Sequence, residues 1–354
     1  MSFLSFRTRT AAVVLFVAVV SLAAMAQIEV QPPYHLRVFA HAVPGQFTQP
    51  DSIAVSKDRV FIGYGNGVAK DGTDGKSSTI VEYRMDGSIV RTFSVVGHND
   101  GLKIDPRTHL LWALQNEDGN PALAIINPGT GTQQDFTFAP TVHGGGFDDM
   151  VFRNGEVFLS ASNPSGNPNT DPAIVRAKLS GSTVVVSPVF AGNATATDLL
   201  TETPVTLNLQ DPDSMITDPA GDLLLDSQAD SELVIVRHPG AKNQSAVRVP
   251  VSSPFAGTQV DDTVFATSSD GFILVSDLDA GIVYAISRHS FTPGTAYSAA
   301  NVPGFVGRLD LEFGQLTPIV TGLRNPRGMA FVARRDDDDR ESRDDREGRC
   351  EADR

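Results

Sequence analysis

The stretch Pro212-Asp213-Ser214-Met215-Ile216-Thr217-Asp218-Pro219-Ala220-Gly221-Asp222-Leu223 decides the fold. An acid is followed two residues later by an apolar residue, and Asp-Pro-Ala-Gly then turns the chain into a second apolar run. The opening phrase recurs as Pro50-Asp51-Ser52-Ile53, Asn99-Asp100-Gly101-Leu102, Asp148-Asp149-Met150-Val151 and Asp261-Asp262-Thr263-Val264, with a divergent copy at Pro326-Arg327-Gly328-Met329. The second residues of successive copies lie 49, 49, 64, 49 and 65 positions apart. Such a period, filled with short strands, is one β-propeller blade per unit, with insertions in two of them.

The second unit parses into four strands. Gly101 to Ile104 is followed by a tight turn at Asp105-Pro106-Arg107-Thr108, and Leu110 to Leu114 leads through a polar loop to Ala122 to Ile126. Asn127-Pro128-Gly129-Thr130-Gly131 then turns into Gln133 to Phe138. Between residues 34 and 333 no amphipathic helix of ten or more residues stands out, so the fold class is all-β. His35 to Ala40 reads as an outer strand with no blade before it, and Gly328 to Val332 as an inner strand with no blade after it. Sharing one blade between such ends closes a ring and removes its edges. The six motifs predict six four-stranded blades. Five is the alternative, because residues 278–322 are irregular and little chain follows the last motif.

Outside the repeats, residues 1–26 read as a signal peptide. Arg7 and Arg9 precede the apolar run Ala11 to Val20, and Ala24-Met25-Ala26 is a small-x-small cleavage site. The run is shorter than the roughly 20 residues a membrane span needs. The expected product is therefore secreted or periplasmic, a monomer with no membrane partner after cleavage. The propeller is assigned to residues 27–333, and residues 334–354, with seven Arg and ten Asp or Glu, form a charged tail expected to stay disordered. The only Cys, Cys350, lies in that tail, so the folded part is read without disulfides or thiolate metal sites. The whole chain of 354 residues has 28 Lys and Arg against 42 Asp and Glu, a formal charge of −14. That balance excludes a nucleic-acid partner, which requires a basic surface.

Two phrases carry a resemblance. Pro212 to Leu223, and Asn325-Pro326-Arg327-Gly328-Met329-Ala330-Phe331, resemble the signature of NHL repeats and of the related gluconolactonase/regucalcin-like propellers. The similarity covers residues 34 to 333 and implies a propeller. It also implies a divalent cation at the mouth of the central channel, held by Glu, Asn and Asp side chains. The Glu-Gly-Pro phrase of the first ligand in those enzymes is missing here, and so is a Pro-Asn-Gly phrase.

Strand parity locates the candidate site. The first-strand mouths and the loops between second and third strands must share one face, while the tight turns occupy the other. Asp51, Asn99, Asp100, Asp149, Asp213 and Asp262 collect near the channel as candidate cation ligands, with Asp148 and Asp261 beside them. Farther out lie Asn116, Glu117, Asp118, Asn163, Asp226, Gln228, Asp277 and Asp279. His98 and His143 each precede a first strand and can join the same mouth. Hard oxygen ligands around one opening suit a divalent cation, Ca²⁺ first. The competing reading is that each Asp accepts backbone N–H groups and ties neighbouring blades together. No Gly-x-Ser-x-Gly, His-Glu-x-x-His or phosphate-binding loop is present. The expectation is an exported binding protein whose acidic face takes a cation and a small molecule or protein. The alternative is a metal-dependent hydrolase of lactones or esters.

Overall fold

The computed structural model describes residues 27–334, so the proposed signal peptide and all of the charged tail after Arg334, including Cys350, lie outside the described residues. These residues form strands and no helix, hence no helix long and apolar enough to cross a membrane. The fold is an all-β propeller. The strands Pro50–Ser56, Asn99–Ile104, Met150–Arg153, Pro212–Thr217, Gln259–Phe265 and Pro326–Ala333 contact one another in that order, and the last contacts the first. They are the ring strands around the channel.

The repeated motif lies at or beside the start of each ring strand, and in several of them it breaks the ladder. Pro50 pairs with Tyr64 while Ile53 pairs with Ile62, so an extra residue bulges out at Asp51-Ser52. The same shift occurs between Asn99 and Leu102 and between Pro212 and Met215. A bulge re-aims side chains that strict alternation would place on one face. Here it lets the acid meet the channel while the apolar residue after it enters the core: Ile53, Leu102 and Met215 are all buried.

The two long repeat steps have different causes. In the first, the hairpin Thr195–Asp198 and Pro204–Thr206 is added outside Ser245–Pro250, with Thr197 paired in parallel to Val247. The hairpin covers an otherwise open sheet edge. In the second, the hairpin Gly271–Asp277 and Ile282–Ser287 does not pair with the ring strand that precedes it. It pairs with Pro326–Ala333 on one side and His35–His41 on the other. The ring strand Gln259–Phe265 pairs instead with Ala296–Val302. The chain from Ser268 to Gly271 therefore crosses from one sheet to the next. The orphan ends do share a sheet, as the sequence suggests, and its two middle strands are supplied from within the previous repeat.

Neighbouring sheets each share an apolar cluster, as between Phe61, Ile80 and Phe93 of one sheet and Leu102, Leu111 and Ala113 of the next. Trp112 packs in the following cluster with Leu114, Phe147 and Val175. Burial of this continuous apolar surface is the main force holding a fold that has no disulfide in its described residues.

Candidate metal centre

The ring-strand starts and the loops between second and third strands meet around a cavity of about 90 Å³ at one end of the channel. Asp51, Asp100, Asp148, Asp149, Asp213, Asp261 and Asp262 reach it from the ring strands and the residues just before them. Glu117, Asp118 and Gln228 reach it from the loops, as parity requires. Three cations that sequence reasoning did not assign to the site, Lys70, Lys103 and Arg327, also line it, together with Asp211. Arg327 stands where the other motif copies carry an acid, which is the one sequence signal for it.

Beside this mouth a donor of His98, which does not itself line the cavity, lies within 4.8 Å of donors of Asp100 and Glu117, which do, and all three residues are buried. His98 is only 8% exposed and its Nδ1 has no hydrogen-bond partner among the described residues. A buried imidazole nitrogen without a partner forfeits hydrogen-bond energy unless a ligand or ion engages it. The backbone fixes the ring's position: His98 N–H donates to Asn116 Oδ1 at 2.9 Å, and Asn116 N–H donates to His98 O at 2.8 Å. Glu117 is ion-paired to Lys70. Burial alone would raise the Glu117 pKa, but Lys70 and His98 hold it below the usual value, so its carboxylate is charged. One nitrogen and two carboxylates within a few ångströms, with a charged member, form a donor set for a divalent cation.

Other candidates take the framework role. Asp149 accepts from Met215 N at 3.1 Å and pairs with Lys103 at 2.9 Å. Asp262 accepts from Met329 N at 2.6 Å and from Thr263 N at 2.7 Å. Each clamps its ring strand to the backbone of the next. Asp261 accepts from Arg327 at 2.7 Å and from Gln228. Asp226 accepts from Thr263 Oγ1 at 3.0 Å, deep in the wall. Asp51 and Asp213 face the cavity and are buried.

The outer candidates shape loops. Asn99, expected near the channel, does not line the cavity and donates to Leu114 O at 2.8 Å, while of the outer candidates Asn116 donates to Asn120 O at 2.9 Å. Asn163 donates to Asp118 O at 3.1 Å. Asp277 accepts from Arg324 N and Asn325 N at 2.9 and 3.0 Å, and the Asp279 carbonyl accepts from Arg324. His143 bonds the Gly146 carbonyl at 2.7 Å and packs on Phe147, away from the cavity.

So many buried carboxyls cannot all ionise without cost. Burial raises Asp226 well above the usual range, helped by Asp262. Burial also pushes Asp261 and Asp262 up to about 7, against the pull of Arg327 and Lys103 respectively. Burial, then Asp213 and Glu117, raise Asp148, and burial, then Asp261 and Asp211, raise Asp213. Asp51 and Asp118 are raised by burial too. A carboxyl with a folded-state pKa above its unfolded one stabilises the fold below the unfolded value, and that stabilisation is lost as pH rises through the folded value. In chelator, the melting temperature is therefore expected to fall as pH goes from about 5 to about 8. Asp226→Asn keeps an acceptor for Thr263 and removes the carboxyl whose pKa burial raises, so it should raise the melting temperature at the upper pH and lose that advantage at the lower. Thermal scans of both proteins across this range check it. A wild-type curve that rises over the window contradicts it.

No protein-family model matches this chain, and no curated protein matches it. Solved structures do. The periplasmic gluconolactonase of Pseudomonas aeruginosa is 12% identical with a TM-score of 0.48, over 85% of this chain and 99% of that one. Virginiamycin B lyase of Staphylococcus aureus is 10% identical with a TM-score of 0.47, over 86% of this chain and 89% of that one. A streptogramin B lyase structure is 9% identical with a TM-score of 0.49, over 84% and 98%. The solved structures to which this chain is similar thus include a gluconolactonase, a virginiamycin B lyase and a streptogramin B lyase.

Proposed function

We propose that this chain is an exported, monomeric propeller of six blades, each built on four strands and two of them carrying added strands, that binds a divalent cation, and with it a small ligand or partner, at His98, Asp100 and Glu117. The blade count rests on the closed succession of ring strands, with the last sheet assembled from three chain segments. Export rests on the signal-like residues 1–26. The observation that carries the cation is the buried His98, which has an unpartnered Nδ1 and a ring nitrogen within 4.8 Å of carboxylate oxygens of Asp100 and Glu117. An imidazole in the set ranks Zn²⁺ or Mn²⁺ ahead of Ca²⁺, which takes oxygen ligands.

Calorimetric titration of chelator-treated protein with Zn²⁺, Mn²⁺ and Ca²⁺ tests the reading. One site is expected, tightest for Zn²⁺ or Mn²⁺ and at least about tenfold weaker in Glu117→Gln, a change of about 1.4 kcal/mol. Absence of binding by all three ions would remove the centre. A second reading, metal-dependent hydrolysis of lactones or esters, is favoured by the small number of protein donors. Three side chains leave coordination positions open for a substrate carbonyl or a water. Hydrolysis that requires the cation would select this reading, and cation binding without turnover in a lactone and ester screen would leave the binding role.

A further inference from the structure

At the end of the ring opposite the mouth, a separate cavity of about 410 Å³ opens between the two halves of the eight-stranded sheet that carries Asn99–Ile104 at one edge and Met150–Arg153 at the other. Its volume lies in the range of small-molecule sites, roughly 300–1,000 Å³. The walls are Trp112, Phe152, Val157, Ala177 and Leu179, with Trp112 and Phe152 in edge-to-face contact at 5.2 Å. The charged residues around it are Arg107, Arg176, Lys178 and a single acid, Glu156. This is a local inversion of charge in a chain whose formal net charge is −14.

The cations are not used up by the fold. Glu156 pairs with Arg176 at 3.1 Å, and the Arg176 guanidinium also lies 5.7 Å from the Phe158 ring centre. Arg107 approaches only Asp105, at 3.9 Å, and both Asp105 oxygens already accept hydrogen bonds, from Arg107 N and Thr108 Oγ1. Lys178 is exposed and makes no ion pair among the described residues. An aromatic floor with two uncommitted cations at its rim matches one chemistry: a flat apolar body that carries an anionic head.

We propose that this groove is a binding site for a small aromatic carboxylate, whose ring lies against Trp112 and Phe152 and whose carboxylate is held by Arg107 and Lys178. The site is independent of the cation centre and needs no metal. Arg107 and Lys178 supply the selectivity for charge, because a neutral ligand of the same shape gains the apolar contacts but not the ion pairs.

Trp112 is the only tryptophan in the chain, so its fluorescence reports on this groove alone. The experiment titrates the intact protein, in chelator, with 3-phenylpropionate and separately with 3-phenylpropanol. Trp112 is excited at the red edge of its band, where neither probe absorbs, and calorimetry runs in parallel. The expected result is a saturable change in Trp112 emission with the acid, weakened by salt, and at least about tenfold weaker binding of the alcohol. The doubly substituted Arg107→Ala, Lys178→Ala protein should bind the acid about tenfold more weakly. Both side chains are exposed, so its melting temperature should be close to that of the wild type. No saturable emission change, equal affinity for acid and alcohol, calorimetric binding that leaves Trp112 unmoved, or an unaltered affinity in the double variant would each overturn the proposal.

Discussion

Gly328→Ala lowers the melting temperature by several degrees or prevents folding, while Gly119→Ala leaves it nearly unchanged. Gly328 sits in the last ring strand, against the first. A Cβ there would lie 2.8 Å from Ser52 Cα and 2.9 Å from Asp51 C, and closer still to Asp51 O. These are backbone atoms, so relief requires the two ring strands to separate at the seam that closes the propeller. Forcing an extra carbon into a packed wall costs about 1–3 kcal/mol. Each kcal/mol moves the midpoint of a domain of about 150–250 residues by roughly 2–4 °C. At Gly119 the nearest atom to an added Cβ is Asp71 Cβ at 3.9 Å, so space is not limiting. Both changes reduce unfolded-chain freedom alike, so the difference between them isolates the seam. Equal melting temperatures for the two variants would mean that the ring strands are not in contact there.

His98→Ala removes the stabilisation that a divalent cation confers. By linkage, an ion at one hundred times its dissociation constant stabilises the folded state by about 2.7 kcal/mol. The variant should gain none of this, although it keeps the backbone bonds between residue 98 and Asn116 and so the local loop. Asp149→Ala is the contrasting change. It strips an acceptor from Met215 N and the partner of Lys103, so it should lower stability with and without the ion while preserving the ion's effect. The pair of variants separates a ligand residue from a framework acid. A cation shift that survives His98→Ala, or one that vanishes in Asp149→Ala, would reverse the assignment.

Much of this was legible in the repeats. The acid motif marks each ring strand, parity places Glu117, Asp118 and Gln228 at the mouth, and the orphan strand ends share a sheet. The exchange of the hairpin Gly271–Ser287 into the next sheet was not legible, because local turn chemistry at Ser268 to Gly271 is the same whether the following strand pairs back or crosses over. The bulges were hidden for a related reason: Asp51-Ser52 and Asp213-Ser214 read as plain strand starts. The division of the acids could not be read either. Asp149 and Asp100 occupy the same motif position, yet Asp149 reaches a neighbour's N–H while Asp100 joins His98. Lys70 and Lys103 belong to no motif and enter the mouth only through folding.

The most direct measurement is a crystal structure of the chelator-treated protein soaked in Mn²⁺, with anomalous scattering used to find the ion. The expected result is one strong anomalous peak at the channel mouth within bonding distance of His98, Asp100 and Glu117, lost in His98→Ala. A mouth without an anomalous peak, or a peak held by Asp149 and Asp262 instead, would contradict the account.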